Sequence, residues 1–180
     1  MDWTHAPGVR VRLLATLVVL CTNVLTGCSF SNAHAADVDQ RKADRIVVVK
    51  SEHTLTLLAN GKVLKQYKVA LGRSQGSKDH KGDHKTPEGE YIIDQKNVQS
   101  RFHLALHVSY PNAEGRRRAQ AEGIAAGNAI MVHGVESGYA WLGSLQRAVD
   151  WTDGCVAVTN PEIEEIWRLV PTGTPIEIKP

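Results

Sequence analysis

Asn60 and Gly61 sit between two apolar stretches, Leu55 to Leu58 and Val63 to Leu71. Both residues tolerate positive φ, so a two-residue turn reverses the chain there without strain, and the flanking stretches become paired antiparallel strands. That hairpin commits the body of the chain to a sheet, and the surrounding sequence agrees. Arg45 to Lys50 is a β-branched run, and Tyr91 to Asp94, Ala129 to Val132 and Pro175 to Ile178 read as further short strands. His103 to Ser109 alternates, with Leu104, Leu106 and Val108 on one face and His103, Ala105 and His107 on the other. Residues 72–90 are polar and read as a loop that ends in Thr86-Pro87-Glu88-Gly89, a pattern suited to a type I turn.

Helices are few. Glu114 to Glu122 predicts a short one stopped by Gly123, and a helical turn is expected near Leu142 to Val149. The clearest starts at Asn160 as cap, with Pro161 and the acidic Glu162, Glu164 and Glu165 in its early turns. Ile163, Ile166, Trp167 and Val170 recur at helical spacing and form a core-facing stripe before Pro171 and Gly173 end it. About seven strands and two or three short helices make the body mainly β.

The first residues do not belong to that body. Arg10 and Arg12 precede an apolar run from Leu13 to Leu25, too short for a span of about 20 apolar residues and laid out like an export signal. Leu25-Thr26-Gly27-Cys28 resembles a bacterial lipobox and is the favoured cleavage reading. It gives a signal over 1–27, a lipidated Cys28 anchoring the chain in the cell envelope, and a tether over 28–44. Ala33-His34-Ala35 offers the alternative of ordinary cleavage and a soluble periplasmic product. Residues 45–180 remain as one domain with its own core. The formal net charge is +2, with Glu and Lys interspersed, so no patch argues for nucleic acid. Arg116, Arg117 and Arg118 read as a solvated helix face. A monomer is expected.

Chemistry concentrates in Thr152-Asp153-Gly154-Cys155. Cys155 is the single cysteine beyond the leader region, and His133 lies 22 residues before it. A thiol becomes a nucleophile through a nearby base, the base needs an orienting group, and the attacked carbonyl needs donors for its oxyanion. His133 ends a predicted strand. Gly134 leaves room for a backbone carbonyl to approach the imidazole. The turn at Asp153, Gly154 and Cys155 can aim N–H groups at an oxyanion. Tyr139, Trp141 and Trp151 flank this region, either lining a groove or covering the core. His103 and His107 lie about 13 Å apart on one strand face, too far to share a metal ion. His80 and His84 read as solvent or rim residues, and no metal site is expected.

The ordered motifs resemble the L,D-transpeptidase catalytic domain, or YkuD, family. His133-Gly134 followed by Thr152-Asp153-Gly154-Cys155 matches its HG…[S/T]-x-G-C pattern. Gly82 to Tyr91 is similar to its G-x-x-x-T-P-x-G-x-[FY] segment, and Ala70-Leu71-Gly72 to the strand end before it. The resemblance covers about residues 45–179. It implies a β-sandwich or barrel of mixed sheets. It implies Cys155 as nucleophile on the carbonyl before a terminal D-Ala of a peptidoglycan stem tetrapeptide, His133 as base, and Gly134 as the carbonyl holding the imidazole. Asp153, Gly154 and Cys155 would supply oxyanion donors, and no cofactor is implied. Cell-wall cross-linking or remodelling, and with it cell shape, would follow. Two departures stand out: Asp153 where many members carry His, and Ala157 where many carry Arg. They leave hydrolysis by an L,D-carboxypeptidase or a wall–lipoprotein amidase open beside transfer.

Overall fold

Asn60 and Gly61 both take positive φ, at 52° and 72°, and the turn they make joins two antiparallel strands as the sequence predicts. The computed structural model describes residues 41–180. The export signal, the lipidated Cys28 and nearly all of the tether therefore fall outside the described residues.

The elements run β1 (Arg45–Val49), β2 (Thr54–Ala59), β3 (Lys62–Lys68), β4 (Gly89–Ser100), β5 (His103–Val108), α1 (Ala113–Ala121), β6 (Ile130–His133), a 3-10 segment (Ser137–Arg147), β7 (Val156–Ala157), α2 (Asn160–Leu169) and β8 (Pro175–Lys179). The strands form one mixed sheet in the order β3-β2-β1-β8-β4-β5-β6-β7. β1 with β8 and β6 with β7 are parallel, and the other pairs are antiparallel. β4 carries the curl. Its first residues, Gly89 to Ile92, pair with β8, and the rest pairs with β5 through two register shifts. Such irregularities bend a strand and increase its twist. The chain beyond β3 then meets the far edge, where Ala70 and Ala157 exchange N–H···O bonds of 2.9 and 2.8 Å. The sheet is thus curled nearly shut, with most of the core inside it.

That core unites Ile46, Val48, Leu55, Leu57, Ile176 and Ile178 with Val132 and Val156 near the other end of the strand order. α2 closes it with Ile163 and Ile166, each fully buried, a burial worth about 1.5–3 kcal/mol per side chain. Leu169 joins the expected stripe, while Trp167 is only half-buried.

The helix begins one residue away from the expected cap. Thr159 is the N-cap, and its N–H donates to Glu162 at 2.8 Å. Asn160 instead accepts from the Val135 N–H at 2.7 Å. Three further details depart from expectation. Thr86 to Glu88 form no turn, because Gly89, at φ +129°, already opens β4. β4 runs 12 residues where four were legible, since its second half is polar and its partner is the adjacent β5. β7 has two residues, too few to show a pattern, and raises the strand count to eight. Arg116, Arg117 and Arg118 are exposed on α1 as expected.

Candidate active site

β6 and β7 lie side by side in parallel register, Val132 opposite Val156 and His133 opposite Ala157. Val132 and Val156 point into the core and are fully buried. Side chains alternate along a strand, so His133 and Cys155, one residue further along β6 and one residue before β7, share the opposite face. As diagonal neighbours on adjacent strands, their Cα atoms are about 8 Å apart on ideal strand spacings, a reach that two side chains span.

His133 is 2% exposed. Its Nδ1–H donates to the Gly134 carbonyl at 2.6 Å. A carbonyl only accepts, so the proton sits on Nδ1 and Nε2 keeps its lone pair. Phe102 stacks on the imidazole at 4.5 Å between centroids, and Trp151 meets it edge-on at 5.8 Å. Gly134 must be glycine here, because a Cβ would lie 2.4 Å from Asn160 Oδ1. Burial pushes the imidazole pKa down to about 4, against the Gly134 carbonyl, which favours the proton.

Cys155 is partly exposed. Burial pushes its thiol pKa up, the Met131 backbone N–H works the other way, Asp153 adds to the rise and Lys78 opposes it. Both shifts favour the uncharged forms, a thiol at Cys155 and an imidazole at His133.

The turn before Cys155 is fixed from within. Thr152 Oγ1 donates to the Cys155 carbonyl at 2.8 Å and accepts from the Gly154 N–H at 3.1 Å. The Gly154 N–H is thus already engaged and is corrected out of the expected oxyanion donors, leaving those of Asp153 and Cys155 as candidates. Gly154 still earns its place through φ +120°. Asp153 turns away from the thiol, bonding Arg73 and His84 Nδ1 at 2.8 Å each.

Behind this turn packs the 72–88 loop. Lys78 and Asp83 form a buried ion pair of 2.6 Å, their side chains 0% and 2% exposed. Burial opposes the Asp83 charge, but Lys78 and the backbone N–H groups of Asp79, Lys85 and His80 outweigh it and hold the carboxyl well below the usual range. The sequence offered no sign of this pair, since Lys78 and Asp83 stand in a stretch that reads as solvated. Phe102 was equally hidden, lying in a tight β4–β5 connection.

A mainly apolar cavity of about 470 Å³ adjoins Phe102 and Trp151. Tyr139 and Trp151 line it, as does Gln146, but Trp141 does not, and 77% of its surface is exposed. His103 and His107 bind separate partners, Glu164 at 2.7 Å and Asp94 at 2.6 Å. Asp79, His80 and Asp83 bring ligand-type atoms within 4.8 Å of one another, but Asp83 is committed to Lys78. No helix among the described residues is long and apolar enough to cross a membrane.

The model of the L,D-transpeptidase catalytic domain family, YkuD, matches residues 43–178. Escherichia coli YafK, which carries the L,D-transpeptidase name provisionally, is 27% identical over 172 residues, 88% of this chain. The chain spans 62% of the length of that relative. Among solved structures, the helical cell shape determining protein Pgp2 of Campylobacter jejuni superposes with a TM-score of 0.56 at 20% identity, over 79% of this chain and 52% of that one. Bd1075 of Bdellovibrio bacteriovorus gives 0.53 at 24% identity, over 77% and 48%. A Xylanimonas cellulosilytica L,D-transpeptidase gives 0.50 at 16%, over 77% and 61%. These structural likenesses speak for the fold.

Proposed function

Because this chain belongs to the L,D-transpeptidase catalytic domain family, we propose that it is a cysteine acyltransferase acting on peptidoglycan stem peptides. The observation that carries this reading is the shared face of His133 and Cys155 across the parallel β6–β7 pair, with the imidazole tautomer set by the Gly134 carbonyl.

The chemistry runs in two halves. Cys155 Sγ forms a bond to the scissile carbonyl carbon while its proton passes to His133 Nε2. The N–H groups of Asp153 and Cys155 receive the developing oxyanion. The tetrahedral adduct collapses, the C–N bond breaks, and His133 returns the proton to the departing amine, leaving a thioester. A second stem's side-chain amine attacks that thioester, again giving its proton to His133, and the thiol is released. Water in place of the amine gives hydrolysis. The hydrolytic reading keeps one specific support: position 157 holds a buried Ala in place of an Arg that would grip a substrate carboxylate.

On this reading the chain works in the cell envelope, anchored through a lipid on Cys28 or, alternatively, as a soluble periplasmic product. Membrane fractionation of Cys28→Ala tests the anchor: anchoring predicts that the variant leaves the membrane fraction. Incubation of the purified full-length chain with tetrapeptide muropeptides tests the activity. Cross-linked dimers support transfer, trimmed monomers alone support hydrolysis, and unchanged substrate contradicts both.

A further inference from the structure

Three stretches of backbone close on one another beside the turn that presents Cys155. The Arg73 N–H donates to the Thr152 carbonyl and the Ser74 N–H to the His84 carbonyl, both at 3.1 Å. The Gly72 N–H donates to Thr86 Oγ1 at 2.9 Å. Gly72 has no room for a Cβ against the His84 carbonyl. This packing gathers three side chains. Arg73 Nη2 lies 2.8 Å from Asp153 Oδ1. His84 Nδ1 lies 2.8 Å from the same oxygen and 3.0 Å from the guanidinium. The Arg73 and Asp153 side chains are 51% and 61% exposed, so their pairing adds little to stability. Its effect lies in where it holds the charge.

We propose that Arg73 is a positioning residue for the nucleophile, holding the Asp153 carboxylate against the 72–88 loop and cancelling a negative charge two residues from Cys155. A thiolate forms less readily beside a like charge. Asp153 works against the Cys155 thiolate and Lys78 works for it, but Lys78 is engaged with Asp83 at 2.6 Å. On the β6 side, His133 with a pKa near 4 is uncharged at neutral pH. Arg73 is thus the cation in contact with the carboxylate among the described residues. A guanidinium keeps its charge at any working pH. On the acyl-transfer reading above, on which the benefit rests, the thiolate is the attacking form, so a masked Asp153 charge favours attack.

Alkylation of the full-length chain by iodoacetamide tests this, followed at the Cys155 peptide by mass spectrometry across a pH series in low salt. Arg73→Met should react at least threefold more slowly at pH 7.5, a thiol pKa raised by about 0.5. Its thermal melt should stay close to that of the native chain. Salt at about 1 M should narrow the gap, since the charges are exposed. Arg73→Lys should restore most of the rate. Arg73→Met combined with Asp153→Asn removes both charges and should react at least as fast as the native chain. Arg73→Met reacting like the native chain, or the double variant staying as slow as Arg73→Met, would overturn the proposal. Alkylation needs no peptidoglycan, so this result and the muropeptide result stand or fall separately.

Discussion

The carbonyl oxygen of Lys85 lies 2.3 Å from where a Cβ on Gly154 would stand. The loop that carries the buried Lys78–Asp83 pair and the turn that presents Cys155 therefore touch backbone to backbone, with no room for a methyl group. Gly154 also holds φ +120°, a conformation that L side chains resist. Gly154→Ala should lose about 3 kcal/mol of stability from strain and overlap together. Thermal unfolding by circular dichroism measures it, and a melting temperature equal to that of the native chain would refute the packing described.

Lys78 is expected to be structural for the same loop. Lys78→Met leaves Asp83 as a buried charge without its counter-ion, which should cost about 3–5 kcal/mol near neutral pH. The deficit should shrink on acidification, as the Asp83 carboxyl, no longer held down by the ammonium, takes up a proton. Denaturant melts at pH 7 and pH 5 test this, and equal deficits at both pH values would count against it.

His133 makes stability depend on pH in a stated direction. Its folded pKa is lowered from 6.5 to about 4, so the unfolded chain takes the proton first. The stabilisation is whole above pH 6.5 and drains away as pH falls towards about 4, by about 3 kcal/mol in full. The difference between the native chain and His133→Asn in melts from pH 7 to pH 4 isolates this contribution. If the two lose stability in parallel, the imidazole is not buried as neutral.

On the proposed mechanism, the same value sets the acid limb of the pH–rate profile. A base that stays neutral down to about pH 4 keeps kcat/KM level between pH 7 and pH 5.5. Phe102→Ala should open the imidazole to water and move its pKa back towards 6.5, carrying the limb with it. Histidine titration by nuclear magnetic resonance and a pH–rate profile check the two halves of that statement. A limb already at 6.5 in the native chain would contradict it.

The β hairpin at Asn60 and Gly61, the end of β6 and the apolar stripe of α2 were legible because each rests on local chemistry: positive φ, strand alternation and helical spacing. The cap of α2 was misplaced by one residue because Thr159 and Asn160 are both good caps, and Gly134 decides between them by leaving space that the Asn160 amide fills. At the site, His133, Gly134 and Cys155 were visible as residue types in a motif. Their electrostatics were not. Burial lowers the imidazole pKa, and the rings of Phe102 and Trp151 pack against it, contacts that arise only when the β4–β5 connection and the segment before β7 fold together. Lys78 and Asp83 looked solvated for the same reason, since nothing local to a polar loop reports that it will be buried.

The central claim is that the Cys155 sulfur carries the acyl group. Intact-protein mass spectrometry of the full-length chain, quenched in acid during reaction with a tetrapeptide muropeptide, tests it most directly. The account predicts a mass increase equal to the acyl portion, mapped to Cys155 and missing in Cys155→Ala. Product formation with no adduct on Cys155, or undiminished turnover by Cys155→Ala, would contradict it.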